Sequence, residues 1–282
     1  MSGFGRMRRW RPWLLLAPAL LALAVFFLYP LGKMLLLSLL DPGLTFKHYQ
    51  RLLEEPAYWQ VLWITLRIAV MVTLATLALG YPLSCVLARL PVRQANLWMI
   101  VVIVPYFTSI LVRTYAWMVL LGTEGAINQL LMWLGIIPAP LKLLYTSTGV
   151  MIGMTYILLP YMVLALYSVM RGIDISLLSA AESLGASRTR AFWRIYVPLS
   201  LPGIAAGGLL VFILSLGFFI TPALMGGQQD TMISMVIENQ IETYFDWGFA
   251  AALSSVLLVC TLLLFWLYQR VVGLEKLFEA RL

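Results

Sequence analysis

Chemistry inside an apolar environment needs a nucleophile beside a base, or paired carboxylates at matching depth. The long apolar stretches of this chain hold almost no acidic residue. Its one histidine, His48, falls in a polar loop and reads as a solvated surface residue. Cys85 and Cys260 lie within apolar stretches and read as small core hydrophobes, with no disulfide or metal framework behind them. No G-x-x-x-x-G-K-[ST] run is present to give the glycines and lysine that cradle a nucleotide's phosphates. What remains suits noncovalent recognition: Tyr106, Arg113 and Tyr115 in one apolar stretch, and Glu238 and Asp246 in a late polar loop. Carboxylates and aromatic faces together can hold a cation. Each of these residues also has a plain structural reading: Tyr115 and Trp117 as interface anchors, Arg113 as a helix-end anchor, Asp246 as a loop cap.

The elements that position these groups are membrane helices. Of 282 residues, 62% are hydrophobic and 11% charged, and the mean hydropathy is +0.93. Trp13 to Leu40 is almost uninterruptedly apolar, long enough for a hydrocarbon core of about 30 Å, and reads as a retained anchor. Asp41 to Gln60 reads as a loop with Tyr49, Tyr58 and Trp59 in an interfacial belt. Val61 to Leu90 is the second span, with an expected break at Gly80, Tyr81 and Pro82. The third, Leu97 to Leu121, carries more polarity than lipid contact tolerates, so one side should face protein or water. Gly122 to Thr146 follows as a loop with a partly buried segment around Ile127 to Leu134, then Ser147 to Met170 as the fourth span. Ile204 to Met225 is the fifth, where Gly207, Gly208 and Gly217 allow close helix approach. Gly226 to Gly248 is a loop and Phe249 to Arg270 the sixth span.

Charge orients this all-α, six-helix membrane protein. Thirteen of the 19 Lys and Arg residues fall on one face, among them Arg6, Arg8, Arg9, Arg11, Arg89, Arg93, Lys276 and Arg281. That face is expected to be cytoplasmic, with both termini on it. The opposite loops hold Lys47, Arg51 and Lys142 against eight acidic residues, including Asp41 and Asp230, so a cationic solute would be favoured there. The net charge of +7 is a poor argument for nucleic acid, because the basic residues sit where topology demands them.

One polar, basic segment, Asp174 to Gly203, is too long and too patterned for a connector. Asp174 is placed to cap a helix with Ile175, Leu177, Leu178 and Leu184 on one face, and Gly185 gives the freedom to turn. Ser187 caps a second helix to Tyr196. Pro198 and Pro202 bracket its exit, so the chain is expected to re-enter the apolar phase in a new direction.

The run Ser179, Ala180, Ala181, Glu182, Ser183, Leu184, Gly185, Ala186, followed by Phe192, Ile195 and Pro198, resembles the E-A-A loop of ABC importer permease subunits. In that family the loop forms a short coupling helix seated in a groove of a cytoplasmic ATPase. The family usually has a glutamate where this chain has Ser179, and Glu182 is the carboxylate available one turn on. Val112 to Gln129, Leu144 to Tyr161 and Ile220 to Ser254 are similar to permease subunits of spermidine/putrescine importers. The resemblance implies a type I ABC importer permease fold in a bacterial inner membrane. It divides the chain into residues 1–60 (first helix and loop), 61–271 (permease domain with coupling loop 174–203) and 272–282 (cytoplasmic tail). It implies partners as well: two ATP-binding subunits, a second homologous permease, and a periplasmic or extracellular solute-binding protein. ATP would be bound by a partner, with no cofactor here, and the chain would not itself be an enzyme. The implied cargo is a polyamine, with an opine, phosphonate or amino-acid-like solute as the alternative. Tyr106, Arg113, Tyr115, Glu238 and Asp246 are then candidates for the path. A secondary transporter would also have interrupted helices, but it leaves the structured basic segment unexplained.

Overall fold

A computed structural model describes residues 16–40 and 43–272. Arg6, Arg8, Arg9, Arg11, Asp41, Lys276, Arg281 and the expected tail beyond Val272 lie outside the described residues. No strand occurs among the described residues, and six helices there are long and apolar enough to cross a membrane. The chain divides into two units, one of Met1–Pro56 with Ile237–Val259, the other of Ala57–Val236 with Cys260–Leu282.

The larger unit is built on α7, Ser147–Met170, whose 24 residues rise about 36 Å at 1.5 Å each. The Thr146 hydroxyl accepts the Gly149 N–H at 3.3 Å and caps it where the apolar run begins. Of the six membrane helices α7 is the most buried, 61% of its apolar window against 39% or less elsewhere. Met154, Leu158, Met162, Leu166 and Met170 form its core stripe with Ile68 and Val72 of α3 (Pro56–Arg89) and Val211 of α9 (Arg188–Leu216). In lipid such contact is held by close packing, not by removal from water. Small residues set the distance: a Cβ at Gly207 would lie 2.8 Å from Met162 Sδ, and one at Gly203 3.1 Å from Val169 Cβ. Gly208 and Gly217 take no part, since a Cβ there meets nothing closer than 3.9 Å.

Local rules misplace several boundaries. The break expected at Gly80, Tyr81 and Pro82 is absent, and α3 runs through Pro82 to Arg89. Gly80 serves packing instead, its missing side chain leaving room for Met162 (3.1 Å from a Cβ to Cγ). The expected third span is two helices, α4 (Val92–Ile103, closed by a 3₁₀ turn Val104–Phe107) and α5 (Ile110–Leu121). Pro105 interrupts it, and the Thr108 N–H and hydroxyl both turn back to the Pro105 carbonyl at 3.2 and 2.6 Å. After the Gly122–Gly125 turn comes α6, Ala126–Trp133, so the apolar run long enough to span is Ile110–Trp133.

The fifth span begins at Arg188, not Ile204, and neither Pro198 nor Pro202 ends α9. Phe192–Tyr196 winds as a π turn, and the Val197 N–H reaches back five residues to Phe192. The widened turn makes room where the Pro198 ring would otherwise press on the carbonyl four residues before it. Between α7 and α9 lies α8, Ser176–Ser183. Past Leu216 come α10 (Ile220–Met225) and α11 (Ile233–Glu242), so the expected Gly226 to Gly248 loop is partly helical. The last helix, α12, is Trp247–Val272, and Cys260 lies on its exposed side.

The smaller unit holds α1 (Leu16–Leu40) and α2, Lys47–Glu54, a helix inside the stretch read as a loop. Ser38 Oγ and the Tyr49 hydroxyl lie 2.8 Å apart. His48 is buried, not solvated, with its ring 6.3 Å from that of Phe249. It falls on the inner face of an amphipathic helix that the polar composition of the stretch conceals.

Candidate functional site

The segment between α7 and α9 is a compact capped structure. Asp174 Oδ1 accepts the Ser176 N–H at 2.9 Å, and hydrogen bonds from Ser176 to its charged form hold the Asp174 carboxyl below its ordinary range. At the other end of α8, the Ala186 N–H bonds the Ala181 carbonyl and the Gly185 N–H the Glu182 carbonyl, both at 3.0 Å. That pair of bonds, with Gly185 at φ +90°, is a Schellman stop, and each requires the left-handed residue between them. The Ser187 hydroxyl then accepts the Arg190 N–H at 3.4 Å and starts α9. So the small and glycine positions Ala181, Gly185 and Ala186 are occupied by what the turn demands.

Apolar side chains hold the segment from beneath and crown it above. Leu178 and Phe192 pack against the core of the larger unit, and Phe192 stacks on Tyr196 with centroids 5.6 Å apart. Leu184 at the apex is 90% exposed, and Ile175, Leu177 and Ala180 are exposed too. Ser179 and Glu182 line a cavity of about 540 Å³ with Arg89 and Arg188. There Glu182 Oε1 lies 3.7 Å from Arg188 Nε, an ion pair across the turn, while Arg89 lies 5.6 Å over the Tyr196 ring. Arg171 ties the neighbouring helix end, donating to the Ala88 and Leu90 carbonyls at 2.7 Å each. Pro198 sits inside α9, past the π turn.

A second cavity, of about 340 Å³, lies among α5, α7, α9 and the 3₁₀ turn. Tyr106, Arg113 and Tyr161 line it with Ile110, Ile157, Leu158, Leu214 and Phe218. The Tyr106 and Tyr161 rings meet edge to face at 5.5 Å, and the Arg113 guanidinium carbon is 5.9 Å from the Tyr106 centroid. Two of the path candidates, Tyr106 and Arg113, are thus brought together. Tyr115 is outside the lining and 54% exposed, and the neighbouring Trp117 packs on Tyr156 at 5.4 Å.

Glu238 and Asp246 belong to the smaller unit. Asp246 starts α12, its Oδ1 accepting the Phe249 N–H at 3.0 Å, and its Oδ2 pairs with Arg51 Nη1 at 3.3 Å. Arg51 also lies 4.3 Å over the Phe249 ring. Glu238 has its carboxyl raised, first by desolvation and then by Glu242. Sequence reasoning missed Asp230, which it counted only as a surface charge. Asp230 is buried, accepts the Gly227 N–H at 2.9 Å and takes a short hydrogen bond from Ser147. It also missed Asn128, fully buried, which joins the Gly122 and Leu141 backbones. Asn128 follows a Gly-x-x-Gly turn, the available clue that a polar side chain has loops to tie.

The fold has solved counterparts. It superposes on a crystal structure of a bacterial ABC transporter involved in the import of the acidic polysaccharide alginate (TM-score 0.72, 18% identity, 94% of this chain and 96% of that one). It also superposes on a bacterial alginate ABC transporter in complex with alginate pentasaccharide-bound periplasmic protein (TM-score 0.76, 17% identity, 96% of each chain). The fold is thus one shared with chains of ABC transporters. Residues 80–273 match the family described as "Binding-protein-dependent transport system inner membrane component". The chain is 43% identical over 226 residues to the spermidine/putrescine transport system permease protein PotB of Escherichia coli (strain K12), covering 80% of this chain and 82% of that one. The corresponding Haemophilus influenzae protein is 36% identical over 261 residues, 93% and 90% of the two chains. The chain belongs to this family of inner-membrane permeases, and the secondary-transporter alternative is set aside. The relatives it matches are transport permeases.

Proposed function

We propose that the chain is one of two membrane subunits of an ATP-driven importer for polyamines of the spermidine and putrescine type. A pair of ATPase subunits would bind the nucleotide on the cytoplasmic side, and an external solute-binding protein would deliver the cargo. Both termini and α8 face the cytoplasm in this reading, supported by the basic residues that cluster there. The permease domain spans residues 61–271. The observation that carries coupling is the apex of the capped segment. A leucine 90% exposed on a turn this fully hydrogen-bonded is a rigid apolar knob shaped for a protein groove. Closure of the ATPases would push the knob, and α9, continuous with it, would carry the motion into the bundle.

Reconstitution tests this. The permease pair with its ATPase and loaded binding protein, in proteoliposomes, is expected to take up labelled spermidine only with ATP. Failure to co-purify with an ATPase overturns the coupling reading; uptake of other solutes but not polyamines overturns the cargo. One observation favours an acidic cargo such as an opine, a phosphonate or an amino-acid-like compound: the charged residue lining the second cavity is Arg113. Competition of such acids, and not putrescine, against uptake would select that reading.

A further inference from the structure

A fixed cation in the cavity of a permease for cations calls for an account. Arg113 stands in the first turn of α5, where the helix dipole opposes positive charge. The helices α3, α4, α5, α7 and α9 of this unit contain no aspartate or glutamate, so none of them offers a counter-ion. Its Nε is buried and has no hydrogen-bond partner among the described residues. The guanidinium lies over the face of Tyr106, at 5.9 Å, near the outer limit of about 6 Å for a useful cation–π contact. It is thus a charge inside the Ile110–Trp133 apolar run, held weakly beside two tyrosine rings, and charges in such runs mark function.

An alkylammonium would seek the same ring. Tyr106 is braced edge to face by Tyr161, and the apolar remainder of the lining, Ile157, Leu214 and Phe218, suits a methylene chain. We infer that Arg113 is a tethered competitor for the cargo: in this conformation its guanidinium occupies the Tyr106 face, and a polyamine ammonium takes that seat only as Arg113 swings away. An empty transporter then keeps its cation site filled, and cargo is admitted by exchange of one cation for another at constant charge on the ring. The weak hold on Arg113 is what makes the exchange cheap. The inference rests on the polyamine reading above.

The test is equilibrium binding of labelled spermidine to the purified permease–ATPase complex without the solute-binding protein, so that the membrane site is read alone. Arg113→Gln is expected to tighten Kd about two- to fivefold, the range a weak cation–π contact spans. Arg113→Lys keeps a competing cation and is expected to stay near wild type. In a Tyr106→Leu background the gain from Arg113→Gln is expected to vanish, since the contested ring is gone. An unchanged or weakened Kd in Arg113→Gln, or an equal gain in both backgrounds, overturns the inference. If Arg113→Gln does not assemble, Tyr106 decides: weaker binding in Tyr106→Leu but not in Tyr106→Phe supports the shared seat, and no change in Tyr106→Leu refutes it. Spermidine uptake by the wild-type complex separates the two claims. Without it the cargo reading falls and takes this inference with it, whereas wild-type uptake with an unresponsive Arg113→Gln sinks the inference alone.

Discussion

Replacing Gly185 with valine isolates backbone conformation from packing. A Cβ at this position meets nothing within 4 Å, so no clash contributes. The whole effect comes from φ +90°, which a β-branched L residue adopts at a penalty of about 1–3 kcal/mol. The global fold escapes, because the core about α7 and α9 lies elsewhere. What shifts is the balance between the Schellman-stopped knob and a frayed one, by about 5- to 150-fold. If only the ordered knob engages the ATPase, uptake falls by a similar factor while membrane insertion and thermal stability of the bundle hold. Reconstituted ATP-driven uptake, the fraction of ATPase co-purified and a thermal melt give the three readings. Gly185→Asn, which tolerates positive φ, is expected to lose much less. Uptake by Gly185→Val within twofold of wild type would refute the reasoning.

Elsewhere the expected effects are structural. Gly207→Leu pushes side-chain carbons into Met162 and is expected to cost about 1–3 kcal/mol or more, read as a lowered melting temperature. Asp246→Asn keeps a capping oxygen on α12 and is expected to transport normally, whereas Asp246→Ala loses the cap at about 1 kcal/mol; lost uptake in Asp246→Asn with intact assembly would return that carboxylate to the path. For Asp174 the folded carboxyl titrates below its ordinary 3.8, so its support for α8 is complete above that value and drains away as pH falls through the lower, folded one. Hydrogen exchange at the Ser176 amide is expected to lose an acid-dependent component of protection in Asp174→Asn, and identical acid profiles would contradict it.

Much of the fold was legible from residue order. Ser147 to Met170 was bounded correctly, because its apolar run ends at a threonine cap on one side and at Arg171 on the other. Gly185 was legible as well, since a glycine after a helical stripe has one common use. Proline misled in both directions. Pro82, Pro198 and Pro202 are tolerated within helices, Pro198 just after a π turn, while Pro105 ends one. Local sequence does not distinguish these outcomes, because neighbours from distant segments decide which carbonyls are crowded. The placement of the five path candidates depends on such neighbours too. Tyr106 and Arg113 converge because the 3₁₀ turn folds one toward the other, whereas Asp246, chosen for its charge, is committed to a helix start and to Arg51.

The π turn at Phe192–Tyr196 has a mechanical corollary. By absorbing Pro198 it keeps Arg188–Leu216 in one piece, a helix of about 43 Å at the usual rise per residue. Tilted by about five degrees around one end, such a helix sweeps its far tip by about 4 Å, roughly the width of a methylene chain. A wound-out, slack joint at Pro198 would have dissipated that stroke before it reached the bilayer.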